Sequence, residues 1–363
     1  MKSYSFFAVT ASSLLFFSLP RYARGAEPAP ALVYESPQEF FGSGDFDGDG
    51  RADLVIVDKA SGKYRLGYQS EPGVLSWVDC RPSGLSSITG FSIGRLFATN
   101  MDAFAFTSPD ANQMTFVEAG SSTAPGKPLT VAFTVGLGPS TLVAADVGGE
   151  GNSPLMDVYV SSIYNSPDPN LATLLRNDGA EFPKVSEATL PAPVRRGNRL
   201  AVKAGGQDLV CVLLGDEKGD SLRVEDVSSG KTVTAATISD LPAGSDYTAG
   251  SFHGSPLREF LFYKPGGTSL IVRPVENASA GQVQFGKGDS FDLGQPIRRV
   301  IALDQSSGSK LFVIFGEGQK AGIYDFDGTK APVSIQTISA TNDLFTFAAS
   351  MPDGFVVFLQ IPG

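Results

Sequence analysis

Apolar residues along this chain come in short runs, cut apart by clusters of Gly, Ser, Pro, Asp and Asn, and no stretch keeps a helical period. Asp53-Leu54-Val55-Ile56-Val57-Asp58 and Asp208-Leu209-Val210-Cys211-Val212-Leu213-Leu214 show the type. They are continuous rather than alternating, rich in β-branched residues and bounded by turn residues, which predicts strands buried on both faces. Because such runs recur from end to end, the expected fold class is all-β.

The runs also repeat. Aligned on Gly44, similar positions return at Gly94, Ala145, near Ala204, Gly250, Leu303 and Ala349, at steps of about 50 residues. That period holds four short strands and their turns, so seven copies predict a single seven-bladed β-propeller over residues 26–363. Copy one is expected to place strands at 40–44, 54–57, 64–68 and 74–78. Copy four is expected to begin at 200–203, copy five to end on 283–285 with a tail to 293, and copy six to begin at 300–303. Copy seven offers only 344–348 and 355–361. The spare apolar segment Ala31-Leu32-Val33-Tyr34-Glu35 is expected to close the ring by strand exchange between the termini, which would remove an exposed edge.

One turn carries chemistry. In Gly44-Asp45-Phe46-Asp47-Gly48-Asp49-Gly50-Arg51-Ala52-Asp53-Leu54, carboxylates fall at 45, 47, 49 and 53, and two glycines let the backbone fold back on one point. Such spacing converges hard oxygen donors, with the Arg51 carbonyl as a further ligand, and without a cation the carboxylates repel one another. The expected occupant is one structural Ca²⁺ held by Asp45, Asp47, Asp49, Arg51 and Asp53; the plainer alternative is an acidic, solvated turn.

A loop that feeds a strand differs from an EF-hand, whose loop enters a helix. The run from Asp45 to Leu54 resembles instead the D-x-D-x-D-G-x-x-D-L signature of the FG-GAP/VCBS repeat family, the integrin-alpha-like propellers that carry it between the first two strands of a blade. Asn177-Asp178-Gly179, flanked by apolar runs, resembles that family's turn between third and fourth strands. The resemblance implies an extracellular module that binds protein or carbohydrate, with calcium holding a loop rather than reacting.

The other copies have worn loops. Copy two puts Arg95 at the first ligand position, which excludes a cation. Copy three keeps Asp146, Glu150 and Asp157 but has Gly148 at the second, a weak second site. In copy five, Gly250-Ser251-Phe252-His253-Gly254-Ser255 aligns with 44–49 and Glu259 with Asp53, so the only histidine of the chain stands in a decayed ligand position. That leaves no Ser-His-Asp triad and no ordinary zinc ligand set to be expected, and no catalytic residue is assigned. Arg195-Arg196 with Arg199, and Arg298-Arg299, read as basic pairs at blade edges, either solvated turns or a grip for an acidic sugar or a carboxylate. Tyr64, Tyr68 and Trp77 read as packing between blades, with sugar stacking as the alternative.

Composition sets the address. With 42% hydrophobic residues and 41 glycines the 363-residue chain can bury a core, and a net charge of −10 argues against nucleic acid or an anionic membrane as partner. Lys2, the apolar stretch Phe6 to Leu19 and the small residues of Ala23-Arg24-Gly25 predict a signal peptide over residues 1–25. The stretch is too short to span a bilayer. The expectation is a secreted monomer, extracellular or periplasmic, whose two cysteines stay free because Cys80 and Cys211 are remote in repeat order. The function expected is non-enzymatic binding of an extracellular protein or carbohydrate. A carbohydrate-active propeller enzyme, a lyase or glycosidase, is the rival.

Overall fold

The computed structural model describes residues 32–71, 74–120, 126, 128–132, 139–147, 155–162, 170–179, 181–201, 208–215, 219–252, 258–279, 282–305, 308–340, 344–351 and 354–360. The signal-peptide segment, Glu150 and His253 lie outside them. The described residues form strands and turns with no helix, and so none that is long and apolar enough to cross a membrane.

Antiparallel sheets follow one another in chain order and make a β-propeller. Blade one contains Glu39–Gly44, Asp53–Asp58, Lys63–Glu71 and Val74–Trp77; blade two Gly90–Gly94, Ala103–Ser108, Gln113–Glu118 and Pro128–Ala132. Blade three runs Pro139–Ala145, Asp157–Ser162, Leu171–Leu175 and Lys184–Thr189. Blade four runs Val194–Ala201, Asp208–Gly215, Asp220–Asp226 and Val233–Leu241. Blade five runs Asp246–Gly250, Glu259–Tyr263, Ser269–Arg273 and Asp289–Asp292; blade six Ile297–Gln305, Gly308–Phe315, Lys320–Asp325 and Val333–Ser339. First strands of neighbouring blades touch one another and ring the axis, while the fourth strands face solvent.

The core is divided among the gaps between blades. Six apolar clusters each join neighbouring blades. Leu54 and Ile56 pack toward blade six, Val55 and Val57 toward blade two. Likewise Cys211 and Leu213 face blade five while Val210 and Val212 face blade three. A strand with two buried faces needs apolar side chains at every position, which is why the runs are continuous. Tyr64 and Tyr68 belong to the cluster between blades one and two, and Trp77 packs on the cluster toward blade six, so these rings serve packing. Cys80 and Cys211 are free, Cys211 wholly buried.

Three expectations are corrected. First, among the described residues six blades of four or more strands are seen where seven copies were expected; the seventh copy is the hairpin Leu344–Met351/Gly354–Gln360. It still closes the ring, since Phe345 and Phe347 share one cluster with Phe41 of blade one and Phe312 of blade six. Second, Leu32–Glu35 does not complete that hairpin. It pairs with Glu39–Gly44, Glu35 opposite Phe40, on the axial side of blade one. Ser36 makes the turn, its amide donating to the Glu39 carbonyl (2.7 Å) and its hydroxyl accepting from the Glu39 amide (2.9 Å), and so short a loop costs less entropy than pairing across the chain. Third, Val283–Phe285 belongs to an inserted hairpin with Val275–Ser279, and Asp289–Asp292 is the outer strand of blade five.

Candidate metal centre

The aspartate loop joins the first two strands of blade one. Gly48 (φ 81°) and Gly50 (φ 82°) take left-handed backbone, which turns their amides onto Asp45: Gly48 N–H donates to Oδ1 (2.7 Å) and Gly50 N–H to Oδ2 (3.0 Å). Asp47 accepts from the Asp49 amide (3.2 Å) and Asp49 from the Arg51 amide (2.8 Å). One ligand atom from each of Asp45, Asp47 and Asp49 lies within 4.8 Å of the others, so the loop brings three of the sequence-assigned ligands together. Arg51 pairs with Asp49 and donates through Nε to the Gln69 carbonyl (2.7 Å).

Asp53 stands apart from that trio. It is wholly buried, Oδ2 accepting from the Phe46 amide (2.9 Å) and Oδ1 from the Gln69 amide (2.7 Å). It therefore ties the loop to the third strand. Halves of the brace recur in other blades: Glu259, where the ligand aspartates are lost, accepts from the Phe252 amide (3.1 Å) as Asp53 does from Phe46, and Asp157, where Asp146 is kept, accepts from the Asn177 amide (2.8 Å) as Asp53 does from Gln69. A carboxylate oxygen has two lone pairs, so accepting one amide leaves Asp53 able to ligate as well.

A contact the sequence reading missed holds the loop from outside. The Asp45 amide donates to Asp102 Oδ2 (3.0 Å) and the Asp102 amide returns to the Asp45 carbonyl (2.7 Å), linking blade one to blade two. Asp146 with Asp208, and Ser251 with Ser309, make the same reciprocal pair, and the Met156 amide donates to the Arg95 carbonyl (2.8 Å) at the equivalent place. The signal was present as a polar residue at or next to the start of the second strand in those next blades, but it shows only once partners in different blades are aligned. The close approach also explains the anchor glycine. A Cβ on Gly44 would lie 2.7 Å from Phe46 Cε1 and 2.9 Å from Asp102 Oδ2, and one on Gly250 would meet Phe252 and Ser309 at 2.8 Å.

Charge is crowded here. Burial pushes the Asp53 carboxyl up to about 7, helped by Asp47 and Asp49 and opposed by the two amides. Burial also raises Asp45 and Asp47, with Asp49 adding to each. A carboxyl that keeps its proton to about 7 when folded, against 3.8 as its ordinary value, favours the folded state below about pH 4 and loses that contribution as pH rises to 7. With divalent cations chelated, the melting temperature is expected to fall between pH 4 and 7, and to fall less in Asp53→Asn. Parallel pH profiles for the two proteins would remove Asp53 as the source.

No protein-family model matches the chain, and no curated protein matches it. Among solved structures it is similar to BBS1N, crystallised in complex with ARL6DN and soaked with mercury, at 12% identity and TM-score 0.52 over 87% of this chain and 88% of that one. It is also similar to the β-propeller domain of Cps50 (Swd1) of Myceliophteria thermophila, at 10% identity and TM-score 0.53 over 92% of this chain and all of that one. At these identities the likeness is one of fold.

Proposed function

We propose that this protein is a secreted, non-enzymatic binding propeller of the FG-GAP/VCBS kind, stabilised by one Ca²⁺, with an extracellular protein or carbohydrate as ligand. The observation that carries it is the convergence of Asp45, Asp47 and Asp49 in a loop already shaped by its own amides. An all-carboxylate donor set suits a hard cation of flexible coordination. Asp45, Asp47 and Asp49 would hold the ion with the Arg51 carbonyl, and Asp53 would brace the loop and share in the coordination. The terminal hairpin is read as a seventh blade cut back to two strands, a reading supported by its place between blades six and one.

Binding is favoured over glycoside hydrolysis by the state of two axial carboxylates, Asp246 and Glu35. A glycosidase needs one carboxyl held protonated near neutrality. Asp246, which faces the axis, is instead held below the ordinary carboxylate range: burial pushes it up, but Arg196, the Tyr247 amide and the Tyr263 hydroxyl outweigh that. Glu35 pairs with Lys59.

The test is calcium calorimetry together with thermal unfolding with and without EGTA. Extracellular calcium modules bind at about 10⁻⁴ to 10⁻³ M. Near millimolar calcium, mass action then adds only about 0.4–1.4 kcal/mol, or about 1–2 °C for a chain of this size. Asp47→Ala is expected to abolish the shift and His253→Ala to preserve it. No heat of calcium binding and no EGTA effect would leave an acidic turn. A glycan array would separate carbohydrate from protein as ligand.

A further inference from the structure

The basic pairs read at blade edges, as solvated turns or as an anion grip, lie in first strands, Arg195 and Arg196 in Val194–Ala201 and Arg299 in Ile297–Gln305. With Glu35, Lys59 and Asp246 they line one pocket of about 230 Å³. Its walls come from blades one, four, five and six. Blades one and four are not neighbours in the ring, so a pocket they share sits on the axis. Arg196, Asp246 and Arg299 stand near the beginnings of their strands, whereas the aspartate loop follows the end of Glu39–Gly44. Since first strands run the same way around the ring, the pocket lies toward the face opposite that loop.

The pocket has four cations, and three of them have carboxylate partners. Lys59 pairs with Glu35, Arg195 with Asp220 (2.5 Å) and Arg196 with Asp246. Arg196 also donates to the Tyr247 carbonyl (3.2 Å), and the Tyr263 hydroxyl donates to Asp246 Oδ2 (2.9 Å), so these groups hold one another in place. Arg299 differs. Its Nη1 donates to the Thr346 carbonyl (3.1 Å), and among the described residues it has no carboxylate partner. Burial disfavours its charge, and neighbouring Arg196 and Arg298 add to that although Tyr263 and Asp246 oppose it. The arrangement leaves one half-buried guanidinium that has no carboxylate of its own and shares only part of the charge of Asp246.

We propose that this axial pocket binds a small ligand through a single carboxylate, received by Arg299 and walled by the Arg196–Asp246 pair, which Tyr263 holds from behind. The planar guanidinium fork matches a carboxylate edge to edge. One positive charge without a carboxylate of its own calls for a monovalent anion, because a dianion would leave surplus negative charge beside Asp246 and Glu35. The volume suits a ligand of about one sugar ring rather than a polymer segment held along its length. The inference goes beyond the calcium reading and stands if that reading fails.

The experiment is calorimetric titration and thermal shift of the purified protein with D-glucuronate, acetate, inorganic phosphate and, as the uncharged counterpart, D-glucose. Glucuronate and acetate are expected to bind and raise the melting temperature, phosphate more weakly, and glucose not at all. In Arg299→Met carboxylate affinity should fall at least tenfold, and Arg299→Lys, which keeps the charge without the fork, should fall between. Equal carboxylate uptake by wild type and Arg299→Met overturns the proposal, as does phosphate binding tighter than the carboxylates. Should Arg299→Met fail to fold, the wild-type protein decides alone: selective carboxylate uptake supports the site, and no uptake, or glucose binding as well as glucuronate, overturns it. EGTA in one arm keeps this outcome separate from that of the metal centre.

Discussion

Replacing Phe347 with alanine is expected to lower the unfolding free energy by about 3–5 kcal/mol, the usual cost of truncating a buried phenyl ring. Phe347 stacks on Phe41 of blade one, ring centroids 4.9 Å apart and planes 18° from parallel, within the cluster that also holds Phe312 and Ile314 of blade six. A two-stranded hairpin is marginal by itself, so its order depends on the blades either side. The loss should therefore reach both neighbours, and hydrogen exchange should quicken in Glu39–Gly44 and Ile297–Gln305 together. A change below about 1 kcal/mol, with those strands still protected, would mean that the ring closes without the hairpin.

Asp53→Ala is expected to cost about 2–6 kcal/mol whether or not calcium is present. The substitution strands the buried amides of Phe46 and Gln69, each worth about 1–3 kcal/mol when left without an acceptor. Asp47→Ala provides the contrast. Its carboxylate is exposed and accepts only the Asp49 amide, so in EGTA its removal should stay within about 0.5 kcal/mol. Urea unfolding of both variants with and without calcium separates a brace from a ligand. If the cost of Asp53→Ala vanishes in EGTA, Asp53 acts only through the ion and the brace does not exist. Glu259→Ala should weaken blade five in the same way, since Glu259 keeps the Phe252 half of the brace where the ligand aspartates are gone.

These two residues mark how far local pattern reaches. Strand after strand was legible because the information is short-range: Leu54 to Val57 must be apolar throughout when both faces are covered, and Gly48 and Gly50 must be glycine where the loop turns left-handed. The spacing of Asp45, Asp47 and Asp49 is likewise a property of one loop, and it placed their oxygens together as expected. The alignment of Glu259 on Asp53 also held, because both sit at the first residue of a second strand.

By itself, then, the sequence determined the all-β class and the trio of aspartates, each the product of residues a few positions apart, and, from their recurrence about every 50 residues, the propeller though not its number of full blades. Only the tertiary structure decided what depends on distant partners. Pairing of Leu32–Glu35 with blade one turned on the relative cost of a short and a long closure, which no strand pattern expresses. The clasp of Asp45 by Asp102 needs blade two in place. The gathering of Arg196, Asp246 and Arg299 at the axis needs the whole ring, because side chains from different blades acquire a common neighbourhood, and with it a common electrostatic balance, only when the chain comes back on itself.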